Sequence, residues 1–290
     1  MSGLAEKIAT MRRQAGGQGV RFLPAKAVGH SCLDSEQRPP SACDSAAASN
    51  AASELDVLRR LLGLRMRAAT PLCTVDGTLP GNEIAPGLRY VERYLAQPQA
   101  PEIVATEFSG FENIPRAQLL HFDTETTGLS GGTGTRAFMI GVADWPDQRL
   151  RVRQLYIATL AAEPAMLRTF AQWLDPGQVL VSYNGRCYDA PLLATRYRLA
   201  RLPNPLQGLR HLDLLFPVRR RYRGVWENCR LATIERQLLG VLREDDLPGS
   251  EAPRAWRDYL TRGDARNLRR VLAHNDQDVV TLAQLLLRLL

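Results

Sequence analysis

The sequence predicts an α/β fold, a mixed sheet flanked by helices, and three observations carry it. Apolar, strand-like segments follow one another at 119–122, 137–143 and 149–158 with no helical stretch between them. A fourth apolar run, 179–183, comes only after a helical stretch at 163–174. Everything beyond it reads as helices. Strands in sequence, then a helix, a strand and helices, describe one sheet with helices packed on it.

Taken in order, residues 1–52 are a low-complexity tail expected to be disordered. The stretch PPSACDSAAASNAAS offers few large apolar groups to bury. Residues 53–114 read as an N-terminal extension. Leu55, Leu58, Leu61, Leu62 and Met66 recur at helical spacing after Ser53, which can cap the helix. Prolines and glycines make 71–90 a connector, and 88–95 and 102–108 are candidate short strands. Residues 115–290 form the main domain. Its first strand leads through Leu119, Leu120 and Phe122 into Asp123 and Glu125. A loop with glycines at 128, 131, 132 and 134 follows, and 137–143 returns, so the pair reads as a hairpin with a long loop. Helices are expected at 191–202, 209–216, 231–239, 252–260 and 268–290.

The totals bound the function. The chain has 290 residues, 45% of them hydrophobic, enough for a sizeable core. No apolar run approaches the roughly 18 residues of a membrane span, and the start has no apolar stretch of signal-peptide length. A cytoplasmic protein is expected. The five cysteines are widely spaced with no C-x-x-C, which argues against a disulfide framework and a zinc site. Residues 1–115 hold 12 basic and 12 acidic side chains, so the whole net charge of +7 lies in the remainder, where every basic side chain is arginine. A basic domain built around acids suits an anionic substrate met by a metal-loaded centre, although codon bias also enriches arginine.

Three acidic positions stand out. Asp123 and Glu125 are two apart and share one side of a strand, where a cation relieves their repulsion. Hard divalent ions are bound by such carboxylates. Asp189 opens a helix after the strand end at Asn184, where a favourable macrodipole is the plainer reading. His274 and Asp278 are four apart on one helical face, whereas Asp276 points elsewhere. Asp278 borders the apolar stripe Val279, Leu282, Leu286 and Leu289, and a carboxylate buried there needs a partner or a metal.

FDTETTGL, NGRCYD and HNDQD, in that order, resemble the three exonuclease motifs of the DnaQ-like (DEDD) superfamily, which has an RNase H-like fold. Over roughly residues 85–290 the sequence is similar to the YprB-type RNase H-like domain, through TTGLSGGTGT, NGR-x-x-D-x-PLL, HLDLL and CRL-x-TIE-x-x-LLG. The resemblance implies that Asp123, Glu125, Asp189 and Asp278 hold two divalent ions, Mg²⁺ or Mn²⁺, for phosphodiester hydrolysis from a 3′ end. Three residues separate His274 from Asp278, the spacing of the tyrosine subclass rather than the histidine one. His274 is therefore implied either to deprotonate the attacking water or only to position it.

The resemblance also implies that Thr126, Thr127 and Gly128 meet a terminal sugar, with Leu129 wedged against a base and Asn184 nearby. A second candidate surface is the arginine-rich segment Arg219, Arg220, Arg221, Tyr222, Arg223 and Trp226. Arginines contact phosphates and aromatic rings stack on bases, although a solvated loop has the same composition. The expected activity is that of a 3′→5′ exonuclease on single-stranded DNA or RNA. A binding module without catalysis and a structure-specific endonuclease are the alternatives on the same fold.

Overall fold

The computed structural model describes residues 75–128, 132–243 and 247–290. The tail at 1–52, the helix expected at 53–66 and Leu129 lie outside the described residues. A seven-stranded sheet organises the chain. In chain order its strands are β1 (Asn82–Ala85), β2 (Leu88–Leu95), β5 (Leu119–Thr126), β6 (Ala137–Asp144), β7 (Leu150–Ile157), β8 (Val179–Ser182) and β9 (Arg210–Asp213). Their spatial order is β1-β2-β7-β6-β5-β8-β9. The first four contacts across it are antiparallel; β8 lies parallel to β5, and β9 parallel to β8. A separate small hairpin pairs β3 (Ile103–Ala105) with β4 (Asn113–Pro115).

The helices are α1 (Glu163–Ala171), α2 (Asp189–Leu199), α3 (Leu215–Tyr222), α4 (Leu231–Ile234), α5 (Ala252–Arg262) and α6 (Arg266–Arg288). A π-helical turn, Glu235–Leu239, continues α4. Three expectations are corrected. The connector at 71–90 contains β1, which pairs with the expected strand β2, itself paired residue for residue with β7 from Leu88 to Leu95. The stretch at 209–216 is not a helix. His211 to Asp213 extend the sheet in register with Leu180 to Ser182, and only Leu215 begins a helix. Four residues are too few for periodicity to separate a strand from a helix, and pairing with β8 decides. The arginine-rich segment is not a loop either, because Arg219 to Tyr222 form the last turn of α3.

Two apolar clusters make the core. Phe122, Phe138, Met166, Phe170, Tyr197 and Trp256 belong to the first. Val181, Leu212, Val218, Ile234 and Leu285 belong to the second. Helix α6 contributes Leu268, Val271 and Leu272 to the first and Val279, Leu282 and Leu286 to the second. The turn between these halves carries His274, Asn275 and Asp278, and α6 packs on β5, β6 and β7. Burying both halves therefore fixes the polar turn against the middle of the sheet. Among the described residues, no helix is long and apolar enough to cross a membrane.

Candidate active site

Asp123 and Glu125 lie near the carboxyl end of β5, which neighbours the carboxyl end of parallel β8. Ligands of α/β sheets gather at such ends. A β-bulge falls between Glu125 and Thr126, where the register with β6 slips, and bulges there re-aim side chains. Asp189, at the start of α2, accepts a hydrogen bond from Thr124 Oγ1. It is thereby fastened to the strand that carries Asp123 and Glu125. From α6, Asp278 and His274 approach Glu125, and one ligand atom from each of the three lies within 4.8 Å of the others.

The electrostatics describe one shared centre. Burial holds the Asp123 carboxyl well above the usual carboxylate range, and the charges of Asp278, Asp189 and Glu125 push it the same way. Burial raises Asp189 to about 6 against the hydrogen bond from Thr124. Asp278 is raised by burial too, opposed by His274 and the Arg243 guanidinium. Asp123 thus feels the charges of the other three acids of the sequence analysis, while the ligand atoms that group closely are those of Glu125, His274 and Asp278. Carboxylates that repel one another into protonation, with an imidazole beside them, are a donor set suited to hard divalent cations. Glu125 and Asp278, with His274, are described residues whose ligand atoms group closely enough to hold such an ion.

Other residues complete the centre, and residue-type reasoning missed them. Asn275, 0% exposed, donates through Nδ2 to Asp123 Oδ2 at 2.9 Å. Its Oδ1 accepts from Gln154 Nε2 of β7 at 2.9 Å. Arg243 donates to both oxygens of Glu235, at 2.7 and 2.6 Å, and also to Asp278. Its Nη1 reaches His274 Nδ1 at 2.9 Å. A guanidinium only donates, so Nδ1 accepts and the imidazole N–H sits on Nε2, 3.5 Å from Asp278 Oδ2. Glu235 is 1% exposed, and Thr281 Oγ1 donates to it as well. Asp276 pairs outward with Arg93 at 2.7 Å, as the helical spacing implies.

Two loops frame the acids. Thr126 Oγ1 donates to the Gly128 carbonyl at 2.8 Å, and Thr127 exchanges hydrogen bonds with Arg136 at 2.9 and 3.0 Å. The returning end of this loop is anchored by Arg196, which donates to the Thr133 carbonyl at 2.9 Å and to Glu163. In the other loop, Asn184 takes φ 67°, and Asp213 accepts the N–H of Asn184 at 2.7 Å and of Arg186 at 3.1 Å. Gly185 is packed so closely that a Cβ there would meet Ser182 Oγ at 2.5 Å and Asp189 Oδ2 at 3.1 Å.

The arginine-rich segment lines a cleft of its own with Glu227, Asn228 and Cys229. Tyr222 and Trp226 stack on each other, with ring centroids 4.3 Å apart and planes 15° apart. The faces they share are therefore closed to a base. The basic excess is also partly structural, because the buried Arg153 and Arg196 are spent on Asp144 and Glu163.

The RNase_H_2 family model, described as RNase_H superfamily, matches residues 120–290. The chain belongs to the RNase H superfamily. It is 37% identical over 169 residues to "Uncharacterized protein YprB" of Bacillus subtilis (strain 168), covering 58% of this chain and 40% of that protein. The chain thus matches less than half the length of that relative. Among solved structures it is similar to the family B DNA polymerase of the hyperthermophilic archaeon Pyrobaculum calidifontis. There the TM-score is 0.47 with 19% identity, over 61% of this chain and 25% of the polymerase. Membership of the RNase H superfamily supports a nuclease-type function.

Proposed function

We propose that the protein is a metal-dependent 3′→5′ exonuclease that hydrolyses phosphodiester bonds at the ends of single strands. The observation that supports this reading is the grouping of Glu125, Asp278 and His274, with Asp123 in the electrostatic reach of Glu125, Asp189 and Asp278, each charge raising the cost of ionising Asp123. Two divalent ions bound there supply Lewis-acid stabilisation of the phosphoryl oxygens and a water of lowered pKa. The chain's own residues do the positioning. Thr124 fixes Asp189, Asn275 fixes Asp123, and Arg243 fixes Asp278 and His274. With Nδ1 occupied by Arg243 and the proton on Nε2, His274 orients water rather than deprotonating it. The backbone at Thr126, Thr127 and Gly128, beside Glu125, receives the terminal sugar.

One observation favours the second reading, a binding module without catalysis. Arg243 already brings a fixed positive charge onto Asp278, which lowers the demand for a metal there. Incubation of 3′- and 5′-labelled DNA and RNA strands with Mg²⁺, Mn²⁺ or EDTA separates the two. The exonuclease reading expects stepwise shortening of 5′-labelled strands with metal and none with EDTA. Retention of intact strands under every metal condition supports the module, and internal cuts support an endonuclease.

A further inference from the structure

Helix α3 divides its arginines between two sides. Phe216 and Arg220, four apart on the helix, line one cleft, and Arg219, with Arg223 just past the helix end, lines another. The first cleft has a volume of about 360 Å³. That falls within the roughly 300–1,000 Å³ of small-ligand sites. Besides Phe216 and Arg220, it is lined by Phe108, Phe111, Arg186 and His211. The two phenylalanines stand on the turn joining β3 to β4, which is rigidly built. Thr106 Oγ1 donates to the Phe111 carbonyl at 2.7 Å, and Phe111 N donates to the Phe108 carbonyl at 2.8 Å. Arg210 Nη1 ties the turn to β9 through the Gly110 carbonyl at 3.3 Å.

Phe216 is 50% exposed in this cleft, although apolar surface left in water is unfavourable. Asp213 also lines it, but both its oxygens already accept backbone N–H groups from Asn184, Arg186 and Leu215. The accessible polar groups are therefore dominated by the guanidinium groups of Arg186 and Arg220. Aromatic faces with guanidinium groups are the pairing that binds a base together with its phosphate. The cleft is coupled to the acids through a single loop. Arg186 lines the cleft, and Asp189, three residues on, is bonded to Thr124 beside Asp123. Asp213 fixes the amides of both Asn184 and Arg186, so this loop is held from below.

We propose that the cleft is a nucleotide subsite for the bound strand, stacking one base among Phe108, Phe111 and Phe216 and holding a phosphate on Arg186 and Arg220. It rests on the nuclease reading and extends it to a residue of the strand away from the scissile end. Stacking is indifferent to base identity and the phosphate carries no sequence, so the subsite grips without reading. The test is binding of labelled octathymidylate and octauridylate by the full chain in Ca²⁺, across a range of salt. Phe216→Ala should weaken binding roughly 5- to 100-fold, the worth of one stacked base, with the salt slope unchanged. Arg220→Ala should weaken it too and flatten the slope by about 0.7, the loss of one phosphate contact. Arg149→Ala, an exposed arginine distant from the cleft in sequence, serves as the control for general charge. Thermal unfolding reports whether each variant folds, and if Phe216→Ala does not, Arg220→Ala decides. Octamer affinity and slope equal to wild type in both variants, with wild type still cleaving strands, overturns the subsite and leaves the nuclease reading standing. Wild type that neither binds nor cleaves any strand overturns both.

Discussion

Asn275 Nδ2 donates to Asp123 Oδ2 across 2.9 Å, joining the middle of the last helix to the strand that carries the acids. The other end of the same amide accepts from Gln154 Nε2, which also donates to the Leu272 carbonyl at 2.8 Å. The chain β7–Gln154–Asn275–Asp123 leaves Asp123 little rotational freedom. Gly141, opposite Asp123 in β6, makes room for it, since a Cβ there would stand 2.1 Å from Asn275 Oδ1.

Asn275→Ala is expected to lower stability by about 1–3 kcal/mol, because a buried donor on Gln154 and an acceptor on Asp123 both lose a partner. Nuclease turnover should fall roughly 10- to 100-fold, the usual effect of losing a group that orients a metal ligand. Gly141→Ala should destabilise by about 1–3 kcal/mol through overpacking alone. Urea unfolding of the two single variants and the double variant checks the geometry. If the amide is the obstacle, the double variant is more stable than the sum predicts. Strict additivity would show that Asn275 does not stand where Gly141 requires it.

Arg243 carries a different load. It is the guanidinium that neutralises Glu235, the most buried acid of the centre, while also holding Asp278 and His274. Arg243→Met should cost about 3–5 kcal/mol, the cost of leaving a buried charge unpaired. Combining it with Glu235→Gln should recover a large part of that loss. Chemical denaturation of the four proteins in the cycle reads the coupling. No recovery would mean that the guanidinium stabilises mainly through Asp278.

How much of this was legible in the sequence depends on what each element had to satisfy. The strands β6 and β8 were legible as continuous apolar runs and β7 by its alternation, each ending within a residue of the expected bounds, while β5 runs on past its apolar start through both acids to Thr126. The acids were legible from spacing, since positions 123 and 125 share a strand side and 274 and 278 a helix face. Asn275 was within reach by the same rule, because it lies three before Asp278 on the helix, but an asparagine carries no charge to draw notice. Glu235 and Arg243 were not legible. They meet Asp278 only through a π-helical turn, and neither the turn nor its partners leaves a period in the sequence. Strand β9 was misread as a helix because only its partner β8 distinguishes four residues from one turn.

The two sides of α3 should separate in experiment. If Arg219 and Arg223 contact phosphates, replacing both by Ala flattens the salt dependence of single-strand binding by about 1.4 log units per log unit of salt. All four arginines of the segment, Arg219, Arg220, Arg221 and Arg223, should together account for up to about 3. Trp226→Ala is expected to act on the fold instead, because the ring is stacked on Tyr222 and packed against the second apolar cluster. Its melting temperature should drop by more than its affinity for a strand at saturating stability. A variant that melts like wild type but binds weakly would give Trp226 a direct place on the strand.

The acid centre makes a further prediction about pH. Asp189 is raised from 3.8 to about 6 and Asp123 is held well above its ordinary value, both led by burial. The native state therefore binds more protons than the unfolded chain above the ordinary carboxylate value. The contribution of these two acids to the stability of the metal-free protein must then fall as pH rises through that window. Exposed acids such as Asp76 and Asp264, lowered to about 2 by hydrogen bonds, act oppositely but only below the ordinary value. Between pH 4.5 and 7.5 the raised acids should dominate the difference between wild type and Asp123→Asn. The buried His121 and His211, lowered to about 4 by burial, add stability as pH rises in both proteins, so in EDTA it is the lead of Asp123→Asn over wild type that should widen across this range. Mn²⁺ binds the ionised carboxylates, so it should raise the wild-type melting temperature increasingly towards pH 7.5, by the logarithm of its saturation. It should do little for Asp123→Asn. Thermal melts of both proteins with and without Mn²⁺ make the comparison. A lead of Asp123→Asn over wild type in EDTA that does not widen with pH, or an equal Mn²⁺ shift in both proteins, would place the repulsion and the metal somewhere other than Asp123.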